Sequence, residues 1–360
     1  MSKVSIVECK TYDFEEVKRA ISIAVSNSDF PDITGKIVLI KPNILSDAPP
    51  EKCVTTHPMV LKAVIQMVKE KGAKKVLVGD SPAIENRGFK PNGSKIYQIC
   101  EEENVEWVDF TIDPITKTLP IVNHKVTIAK IIDEVDLCIS VAKFKTHEFM
   151  YSTGAMKNMF GLMPSRKKSA QHVRHPSRVS FAQFITGIVS ISKVEYAIMD
   201  AVIGMEGPGP GNGYPREVGK IIAGNDPLAV DIAQAIIMGY DPIKIPIIKC
   251  GLENHITSIA KIEDVEYPLF NANDLIIKDY KRIGKNTSSN VDEDEETEYK
   301  KRPAPKFDDD ICIHCLKCIN ICPANALSLI DGKVTINEDK CIRCYCCHEV
   351  CPVNAITIKH

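Results

Sequence analysis

The sequence predicts an α/β protein with a mainly parallel sheet and flanking helices, followed by a small α+β module at the C-terminal end. Two observations carry this prediction. Short apolar runs typical of buried strands alternate with amphipathic helical segments over residues 1–280, and such alternation indicates βαβ units. The chain also has 14 cysteines in 360 residues, most of them between Cys312 and Cys351. The cysteine-rich end is therefore expected to form a unit of its own.

The large N-terminal domain is expected to alternate strands and helices. Strands are predicted where apolar residues run together, and helices where they recur every three or four positions. One helix is expected to begin at Pro58 with Thr56 as its N-cap, and to end before Gly72, which suits the left-handed conformation that closes many helices. We expect strands at 4–9, 36–40, 75–80, 105–110, 137–144 and 195–202, helices beginning near residues 13, 58 and 94, and a buried helix at 179–192.

Composition and charge restrict the possible classes of protein. The formal net charge is -2, with 44% hydrophobic and 26% charged residues, which is ordinary for a globular chain. Nucleic-acid binders usually have a strongly basic face, which this balance does not favour. The first residues lack the apolar run of a signal peptide, and the apolar stretch 179–192 is shorter than the roughly 20 residues of a membrane span. We therefore expect a cytoplasmic protein that binds neither nucleic acid nor membrane.

Residues 281–306 differ from the sequence on either side. They contain few apolar residues, an acidic run at 292–296, and Pro303 and Pro305. This composition is typical of an exposed linker. The sequence therefore divides into a domain at 1–280, a charged linker at 281–306 and a C-terminal module at 307–360.

The C-terminal module contains the same cysteine pattern twice. One run, C-x2-C-x2-C-x3-C-P, extends from Cys312 to Pro323, and a second from Cys341 to Pro352. Two-residue gaps let three thiolates surround one corner of an iron–sulfur cubane, and the fourth cysteine crosses to a second cluster. The module resembles the bacterial-type ferredoxins, which implies two 4Fe-4S clusters and single-electron transfer. We expect one cluster on Cys312, Cys315, Cys318 and Cys351, and the other on Cys341, Cys344, Cys347 and Cys322.

Zinc is the alternative for such cysteines. Structural zinc sites usually take two C-x2-C pairs separated by a loop, and two runs of this kind fit that pattern poorly. Cys346 lies outside the pattern, and we expect it to be a small buried residue beside a cluster. Five cysteines are scattered over the large domain. Of these, only Cys53 is expected to face the crevice at the ends of the strands.

Several short motifs of the large domain also occur together in a known family. They are Lys41-Pro42-Asn43, Thr55-Thr56-His57-Pro58, Val78-Gly79-Asp80-Ser81, Lys143-Phe144-Lys145-Thr146-His147, the segment 153–161, and Gly224-Asn225-Asp226-Pro227 with Asp231. The domain resembles the DUF362 family over nearly all of residues 1–280, and members of this family often carry a ferredoxin module. The resemblance implies a fold rather than a reaction. The lysine and histidine segment is also distantly similar to the substrate region of lactate racemase-type proteins.

Basic side chains follow the ends of predicted strands. Lys41, Asp80, Lys145 and His147 each end or follow a buried strand. Ligands of open parallel sheets bind outside the carboxyl ends of the strands, so these residues should converge. Lysines there bring positive charge, and His147 a proton carrier near neutral pH, which predicts a site for a carboxylate or phosphate. The expected cations are Lys41, Lys143, Lys145 and Lys157; the predicted catalytic residues are Lys157, His147 and Lys145; the predicted cofactor-binding residues are Lys41, Asn43 and Asn158.

Three further segments are expected to border this site. Gly154 and Gly161 bracket Lys157 and allow close approach of the backbone to a ligand. The basic stretch 165–178 is either a lid over an anionic ligand or a solvated surface loop. The Gly/Pro-rich loop 204–213 is either a turn or a pocket wall that lets a partner approach. No phosphate-binding P-loop or dinucleotide fingerprint occurs in the sequence.

A two-cluster module joined to a domain with an anion site suggests three functions. The first is an oxidoreductase using low-potential electrons, in which a redox partner protein exchanges electrons with the clusters and the large domain binds an anionic small molecule. The second is an electron-transfer subunit that docks a partner redox enzyme. The third is a ligand-binding protein regulated by the redox state of its clusters. An anaerobic setting suits all three.

Overall fold

The computed structural model describes residues 1–83, 87–284 and 301–359. Strands and helices alternate through the large domain, with the bounds that follow. The strands are β1 (Ser2–Glu8), β2 (Ile37–Pro42), β3 (Lys75–Asp80), β4 (Glu106–Asp109), β5 (Ile115–Leu119), β6 (His124–Ile128), β7 (Leu137–His147), β8 (Tyr151–Thr153), β9 (Val194–Glu206), β10 (Tyr214–Gly224) and β11 (Val265–Glu266).

The helices of this domain connect and cover the strands. None of the helices in the described ranges is long and apolar enough to cross a bilayer. The helices are α1 (Phe14–Ser26), α2 (Pro58–Glu70), α3 (Ile96–Glu102), α4 (Ile131–Glu134), α5 (Ala155–Asn158), α6 (Ser165–Arg174), α7 (Arg178–Val189), α8 (Pro227–Ile237) and α9 (Pro246–Glu253), with 3-10 turns at Pro50–Lys52, Met159–Leu162, Pro242–Lys244, Ile262–Asp264 and Ala272–Leu275.

Nine of these strands, within the described residues, form one mainly parallel sheet, which confirms the predicted fold class. Its order is β11-β1-β10-β9-β7-β2-β3-β4, with β8 paired to β7. Strands β2, β3, β4, β7 and β9 run parallel to one another, whereas β10 runs antiparallel to both β1 and β9. The carboxyl ends of β2, β3 and β7 therefore meet at one edge of the sheet.

The sheet is buried on both faces. Successive side chains of a strand point to opposite faces: Leu39 packs into one core, and its neighbours Val38 and Ile40 pack into the other. Helices α1, α2 and α3 cover the second face, and α7, α8 and α9 the first. The predicted buried helix at 179–192 corresponds to α7, whose Phe181 and Phe184 lie fully inside. The two-sided burial explains why the strands are almost continuous apolar runs.

Helix α2 begins and ends where the sequence predicts, but the expected cap is wrong. The N-cap is His57, whose side chain accepts the backbone N–H of Met59 at 3.3 Å. The Thr56 hydroxyl instead donates to the carbonyl of Val141 at 2.7 Å, which ties the loop after β2 to β7. Gly72 follows the helix with φ +83°, the left-handed conformation expected of it.

Strand β10 has no counterpart among the predicted strands. Its first half carries polar residues, and only its last four residues are fully buried, so it lacks the apolar run that marks the others. Strands β7 and β9 also extend past their apolar runs, to His147 and Glu206. In β7 the added residues include charged side chains that are buried because they have polar partners, which sequence patterns do not reveal.

The C-terminal module is a pair of similar halves. Strand β12 pairs antiparallel with β15, and β13 pairs antiparallel with β14. Strand β12 begins within the segment predicted as linker, of which residues 285–300 lie outside the described ranges. The elements are β12 (Pro305–Phe307), α10 (Lys317–Ile321), β13 (Leu327–Ile330), β14 (Lys333–Ile336), α11 (Cys346–Glu349) and β15 (Ile356–Ile358).

The module packs against the large domain. Tyr345 is 1% exposed and belongs to the same core as the helices α7 and α8. Arg302 donates to the carbonyl of Pro176 at 2.8 Å, and Asn212 Nδ2 donates to the carbonyl of His348 at 2.6 Å. These contacts dock the C-terminal module on the large domain.

Candidate functional site

A pocket lies between the carboxyl edge of the large sheet and the C-terminal module. Its volume is about 710 Å³, including its open mouth. Strands β2, β3 and β7, helices α5 and α6, and helix α11 of the module all contribute to it. The structure brings together in its lining all six predicted catalytic and cofactor-binding residues of the large domain. The lining includes Lys41, Asn43, Asp80, Ser81, Lys145, His147, Thr153, Lys157, Asn158, Lys168, His172, Cys346 and Glu349.

Lys41 forms the floor of the pocket and is fully bonded to the protein. Its ammonium lies 2.7 Å from Asp80 Oδ1 and donates to Asn158 Oδ1 at 3.0 Å and to the carbonyl of Pro42 at 3.1 Å. A lysine has three N–H donors, so none remains for a ligand. Asn158 is likewise engaged, since its amide donates to the carbonyl of Lys41 and to Ser140 Oγ. These residues shape the site rather than offer donors to a ligand.

Gly154 and Gly161 leave room for buried side chains of the protein rather than for a ligand. A Cβ on Gly161 would lie 2.0 Å from Asp80 Oδ1 and 2.6 Å from Lys41 Nζ, and one on Gly154 would lie 2.2 Å from Asp231 Oδ1. Asp231 in turn accepts the backbone N–H of Met156 at 3.1 Å and so fixes the start of α5. The close approach predicted at both glycines is present, but buried carboxylates occupy the space.

Lys145 and Lys157 are two cations of the lining that have N–H donors left for a ligand. Lys145 Nζ donates to the carbonyl of Val54 at 2.7 Å, which uses one of its three N–H groups. Burial and, after it, the charge of Lys157 together lower the pKa of Lys145 to about 7. Lys157 Nζ makes no hydrogen bond or ion pair with any residue that the structure describes; burial lowers its pKa, and Glu349 opposes this shift. An anion would restore the interactions that both ammonium groups lack.

His147 presents one nitrogen to the pocket. Its Nδ1 accepts the backbone N–H groups of Phe149 at 3.1 Å and Met150 at 3.3 Å. Nδ1 is therefore unprotonated, and Nε2 carries the proton of the neutral ring. Burial and the charge of Lys157 hold the pKa of His147 well below its usual value. The sequence predicted a proton carrier near neutral pH, but these surroundings make His147 a neutral N–H donor.

Glu349 is a charged residue of the pocket that sequence reasoning missed. It projects from α11, and its Oε1 lies 3.3 Å from His147 Nε2. Burial raises the pKa of Glu349, while Lys157 and Lys145 oppose the shift. In the sequence Glu349 lies between two cluster cysteines, Cys347 and Cys351, and nothing there connects it with the lysines of a separate domain.

The basic stretch 165–178 forms a helical wall of the pocket. Helix α6 turns Lys168 and His172 inward, and the Lys168 ammonium donates to the carbonyl of Ser81. The His172 ring stacks on Phe181 at 4.3 Å, and burial followed by the charge of Lys157 lowers its pKa to about 3. A solvated loop, one of the two expectations for this stretch, is therefore excluded for α6.

Lys143 and Cys53 do not reach the pocket, contrary to expectation. Lys143 lies 2.8 Å from Asp200 Oδ2 and donates to the Tyr12 hydroxyl at 2.9 Å. Asp200 thus neutralises the charge of Lys143 within the protein. Cys53 is 3% exposed and is absent from the pocket lining; burial raises the pKa of its thiol, and the charge of Lys143 opposes this shift. Both residues lie outside the pocket lining.

The Gly/Pro-rich loop 204–213 forms a wall where another unit approaches, as one of its two interpretations predicted. Pro210 lines the pocket. A Cβ on Gly211 would lie 2.8 Å from the carbonyl oxygen of Glu349, so the absence of a side chain permits the contact. The unit that approaches is the C-terminal module of the same chain.

Several buried polar atoms facing the pocket have no hydrogen-bond partner among the described residues. A buried polar atom without a partner is costly, and such atoms are few in folded proteins. Their concentration in one lining indicates that a ligand or solvent satisfies them. They are Asn43 Oδ1, Ser81 Oγ, His147 Nε2, Thr153 Oγ1, His172 Nδ1 and Glu349 Oε1.

Eight cysteines of the module surround two cavities. We call the cavity of about 400 Å³ lined by Cys312, Cys315, Cys318 and Cys351 the distal cavity. We call the cavity of about 340 Å³ lined by Cys322, Cys341, Cys344 and Cys347 the proximal cavity. In the described part of the chain, no three cysteine, histidine or carboxylate side chains are close enough to bind a single metal ion.

The four cysteines around each cavity are those predicted from the spacing. As predicted, the fourth cysteine of each run lines the cavity of the other run. Backbone N–H groups point at both exchanged thiols: Ala326 donates to Cys322 Sγ and Ala355 donates to Cys351 Sγ, each at 3.3 Å. Thiolate donors around a cavity, with amides directed at sulfur, fit an iron–sulfur cluster. Cys346 is buried, as expected, and lines both the proximal cavity and the pocket.

Comparison with known proteins gives two family matches. A family model described as a domain of unknown function (DUF362) matches residues 38–235, and one described as a 4Fe-4S dicluster domain matches residues 304–352. A thylakoid-associated protein of Synechocystis sp. is 28% identical over 255 residues, which are 69% of this chain and 76% of that protein.

Two solved structures align with parts of the chain. One is a structural-genomics crystal structure of a protein from Thermotoga maritima, with a TM-score of 0.40 and 13% identity over 61% of this chain and 57% of that one. The other is the lactate racemase apoprotein from Thermoanaerobacterium thermosaccharolyticum, with a TM-score of 0.37 and 18% identity over 59% of this chain and 53% of that one. The chain thus spans little more than half the length of either.

Proposed function

Because the chain belongs to the DUF362 family and carries a 4Fe-4S ferredoxin domain, we propose that it is an oxidoreductase that exchanges single electrons with an anionic small molecule bound in the pocket. Iron–sulfur electron transfer follows from the ferredoxin domain itself. One observation carries the finer proposal. Cys346 and Glu349 line the pocket, while Cys344 and Cys347 of the same short segment line the proximal cavity.

The cysteines around the two cavities support two clusters, one in each. When bound, such clusters supply one-electron redox chemistry, at potentials that depend on burial and on hydrogen bonds to sulfur. The amides of Ala326 and Ala355 donate to thiols of opposite sets. Because these bonds stabilise the more negative state of a cluster, they favour its reduction.

Lys145, Lys157 and His147 support the anion. An electron that reaches a bound ligand adds negative charge to it, and nearby ammonium groups stabilise that charge in a site shielded from water. Lys145, with a pKa of about 7, is able to give up a proton near neutral pH. The Nε2–H group of His147 provides a neutral donor for a ligand oxygen. The proposed catalytic residues therefore remain those predicted from the sequence, with His147 in a different role.

The test is to identify what the pocket retains. Wild-type protein, Lys157→Met and the control Lys167→Met are purified anaerobically, and the small molecules released on denaturation are identified by mass spectrometry. Lys167 is exposed on α6, so the control removes the same charge outside the pocket. We expect an anion at near-stoichiometric amount in the wild type and the control, and its loss in Lys157→Met. Equal retention by all three proteins would contradict the assignment.

A ligand-binding protein regulated by cluster redox state is the second candidate. The observation that favours it is the position of Glu349, which reaches the pocket from a helix that begins with cluster-flanking cysteines. This candidate predicts that the retained anion binds with different affinity to the oxidised and reduced protein and is not itself altered. Turnover of the anion with a chemical reductant would reject it in favour of the oxidoreductase.

A further inference from the structure

The two cysteine runs have matched backbones and opposite surroundings. His314 and Leu316 of the first run adopt positive φ, as do Arg343 and Tyr345 at the matched positions of the second. Yet Leu316 is 37% exposed and Tyr345 is 1% exposed. The large domain covers the second run and leaves the first open. The proximal cavity thus adjoins the pocket, and the distal cavity faces outward.

The open side of the distal cavity carries an apolar surface. Cys315 is exposed, and Ile313 and Leu316, which line the cavity, are exposed as well. Ile313 is 59% exposed and the nearby Ile311 48%. We call Ile311, Ile313, Cys315 and Leu316 the distal face. A cluster of exposed apolar side chains of this kind indicates a contact site for another molecule.

Acidic residues precede this surface in the chain. Asp308, Asp309 and Asp310 are all exposed. Asp309 pairs with Lys333 at 3.1 Å, whereas neither Asp308 nor Asp310 forms an ion pair within the described ranges. Lys317 is the cation that lines the distal cavity itself. Asp308 and Asp310 are thus two exposed carboxylates beside the distal face without an ion-pair partner among the described residues, and they complement a basic partner.

We propose that the distal face is the docking surface for a small electron-carrier protein with a basic rim around an apolar contact. In this step one electron leaves the reduced carrier and enters the distal cluster; the carrier is oxidised by one electron, the chain is reduced by one, and no bond is made or broken. Transfer onward to the pocket rests on the proposed function, but the docking itself does not.

The test uses cytochrome c as a basic carrier probe and a flavodoxin as an acidic one. The cluster-loaded protein is reduced, and the second-order rate of electron transfer to each probe is measured against ionic strength. Cytochrome c accepts electrons, so this assay runs the same contact in the reverse direction. We expect the rate of transfer to cytochrome c to fall as salt rises and the rate of transfer to the acidic flavodoxin to rise, because salt screens attraction in one pair and repulsion in the other.

Two variants and two matched controls locate the contact. Asp308→Asn/Asp310→Asn removes two charges and keeps an oxygen acceptor for the backbone N–H of Asp310 and Ile311. Its control, Glu253→Gln/Glu263→Gln, makes the same charge change on exposed residues of the large domain. Ile313→Ser is paired with Leu269→Ser, since Leu269 is 44% exposed on the large domain.

We expect the distal-face variants to transfer electrons to cytochrome c about three- to tenfold more slowly at low salt, and the controls within about twofold of wild type. Carbodiimide cross-linking to cytochrome c, mapped by mass spectrometry, should join Asp308 or Asp310. Unchanged rates in both distal-face variants, cross-links elsewhere, or a dimer that buries Ile313 would overturn the proposal. Docking is measured by the electron-transfer rates and the cross-links, and the pocket by the anion that the protein retains, so failure of the pocket assignment and failure of docking are distinguishable.

Discussion

Glu349 Oε1 of helix α11 lies 3.3 Å from His147 Nε2 at the end of strand β7, across the boundary between the two domains. His147 is neutral with its proton on Nε2, so the contact joins an N–H group to a carboxyl oxygen. Neither atom has an aligned hydrogen-bond partner among the described residues. The pocket therefore depends on docking of the module, since one of its walls comes from each domain.

Replacement of Tyr345 should loosen this docking. Tyr345 is buried in the core of the large domain and its hydroxyl donates to the carbonyl of Pro303 at 3.0 Å. We expect Tyr345→Leu to destabilise the docked state by about 1–3 kcal/mol, because it removes a buried ring and a hydrogen bond. Hydrogen exchange of α11 and of the loop 204–213 should rise. Leu316→Ala, at the matched exposed position, should leave both segments as in the wild type.

A methyl group at Gly161 should disrupt the floor of the pocket. The added Cβ would overlap Asp80 Oδ1 and Lys41 Nζ, which form a buried ion pair. We expect Gly161→Ala to lower the free energy of unfolding by about 3–5 kcal/mol, the usual cost of breaking a buried pair. Thermal unfolding measures this. Gly187→Ala on α7, where the new Cβ meets only the Leu119 side chain, serves as the control and should change stability by about 1 kcal/mol or less. Equal losses in the two variants would contradict this account of the floor.

Sequence reasoning succeeds where local patterns determine the structure. Strand β3 and the close of α2 at Gly72 appear as predicted, because local apolar runs and backbone conformation determine them. The cysteine sets around the cavities follow from spacing alone. All six predicted pocket residues line one cavity because parallel strands end at one edge of the sheet.

Other features depend on partners that no local pattern specifies. Lys143 and Lys145 lie two residues apart on β7 and look equivalent in the sequence. Asp200 on β9 pairs with Lys143, whereas Lys145 has a single carbonyl partner and faces the pocket. Glu349 was missed for the same reason, since its position is set by the docking of one domain on another.

The affinity of the pocket for an anion should fall as pH rises through about 7. Lys145 has a pKa of about 7, mainly because of burial. Below that pH its ammonium attracts an anion, and above it the neutral amine does not. For the tightest binder among small mono- and dicarboxylates, calorimetry should show a fall of up to about tenfold per pH unit above pH 7. Lys145→Met should bind weakly with a flatter pH profile. A profile in Lys145→Met identical to that of the wild type would assign the titration to another group.

The two cluster sites should differ in their effect on the pocket. Cys347→Ser and Cys315→Ser should each lower the iron content from about eight to about four atoms per chain, because each removes a ligand of one cluster. Only Cys347→Ser should change anion affinity, since its cavity shares Cys346 with the pocket. An equal change in Cys315→Ser would show that the pocket senses the module as a whole.

An anion site beside the proximal cluster is tested most directly by a redox titration of the full chain, followed by electron paramagnetic resonance, with and without the saturating carboxylate. Added negative charge beside a cluster makes its reduction harder. We predict that the potential of the cluster lost in Cys347→Ser falls by a few tens of millivolts on binding, that the other cluster shifts less, and that Lys157→Met abolishes the effect. Equal shifts of both clusters, or no shift of either with the carboxylate bound, would contradict an anion site beside the proximal cluster.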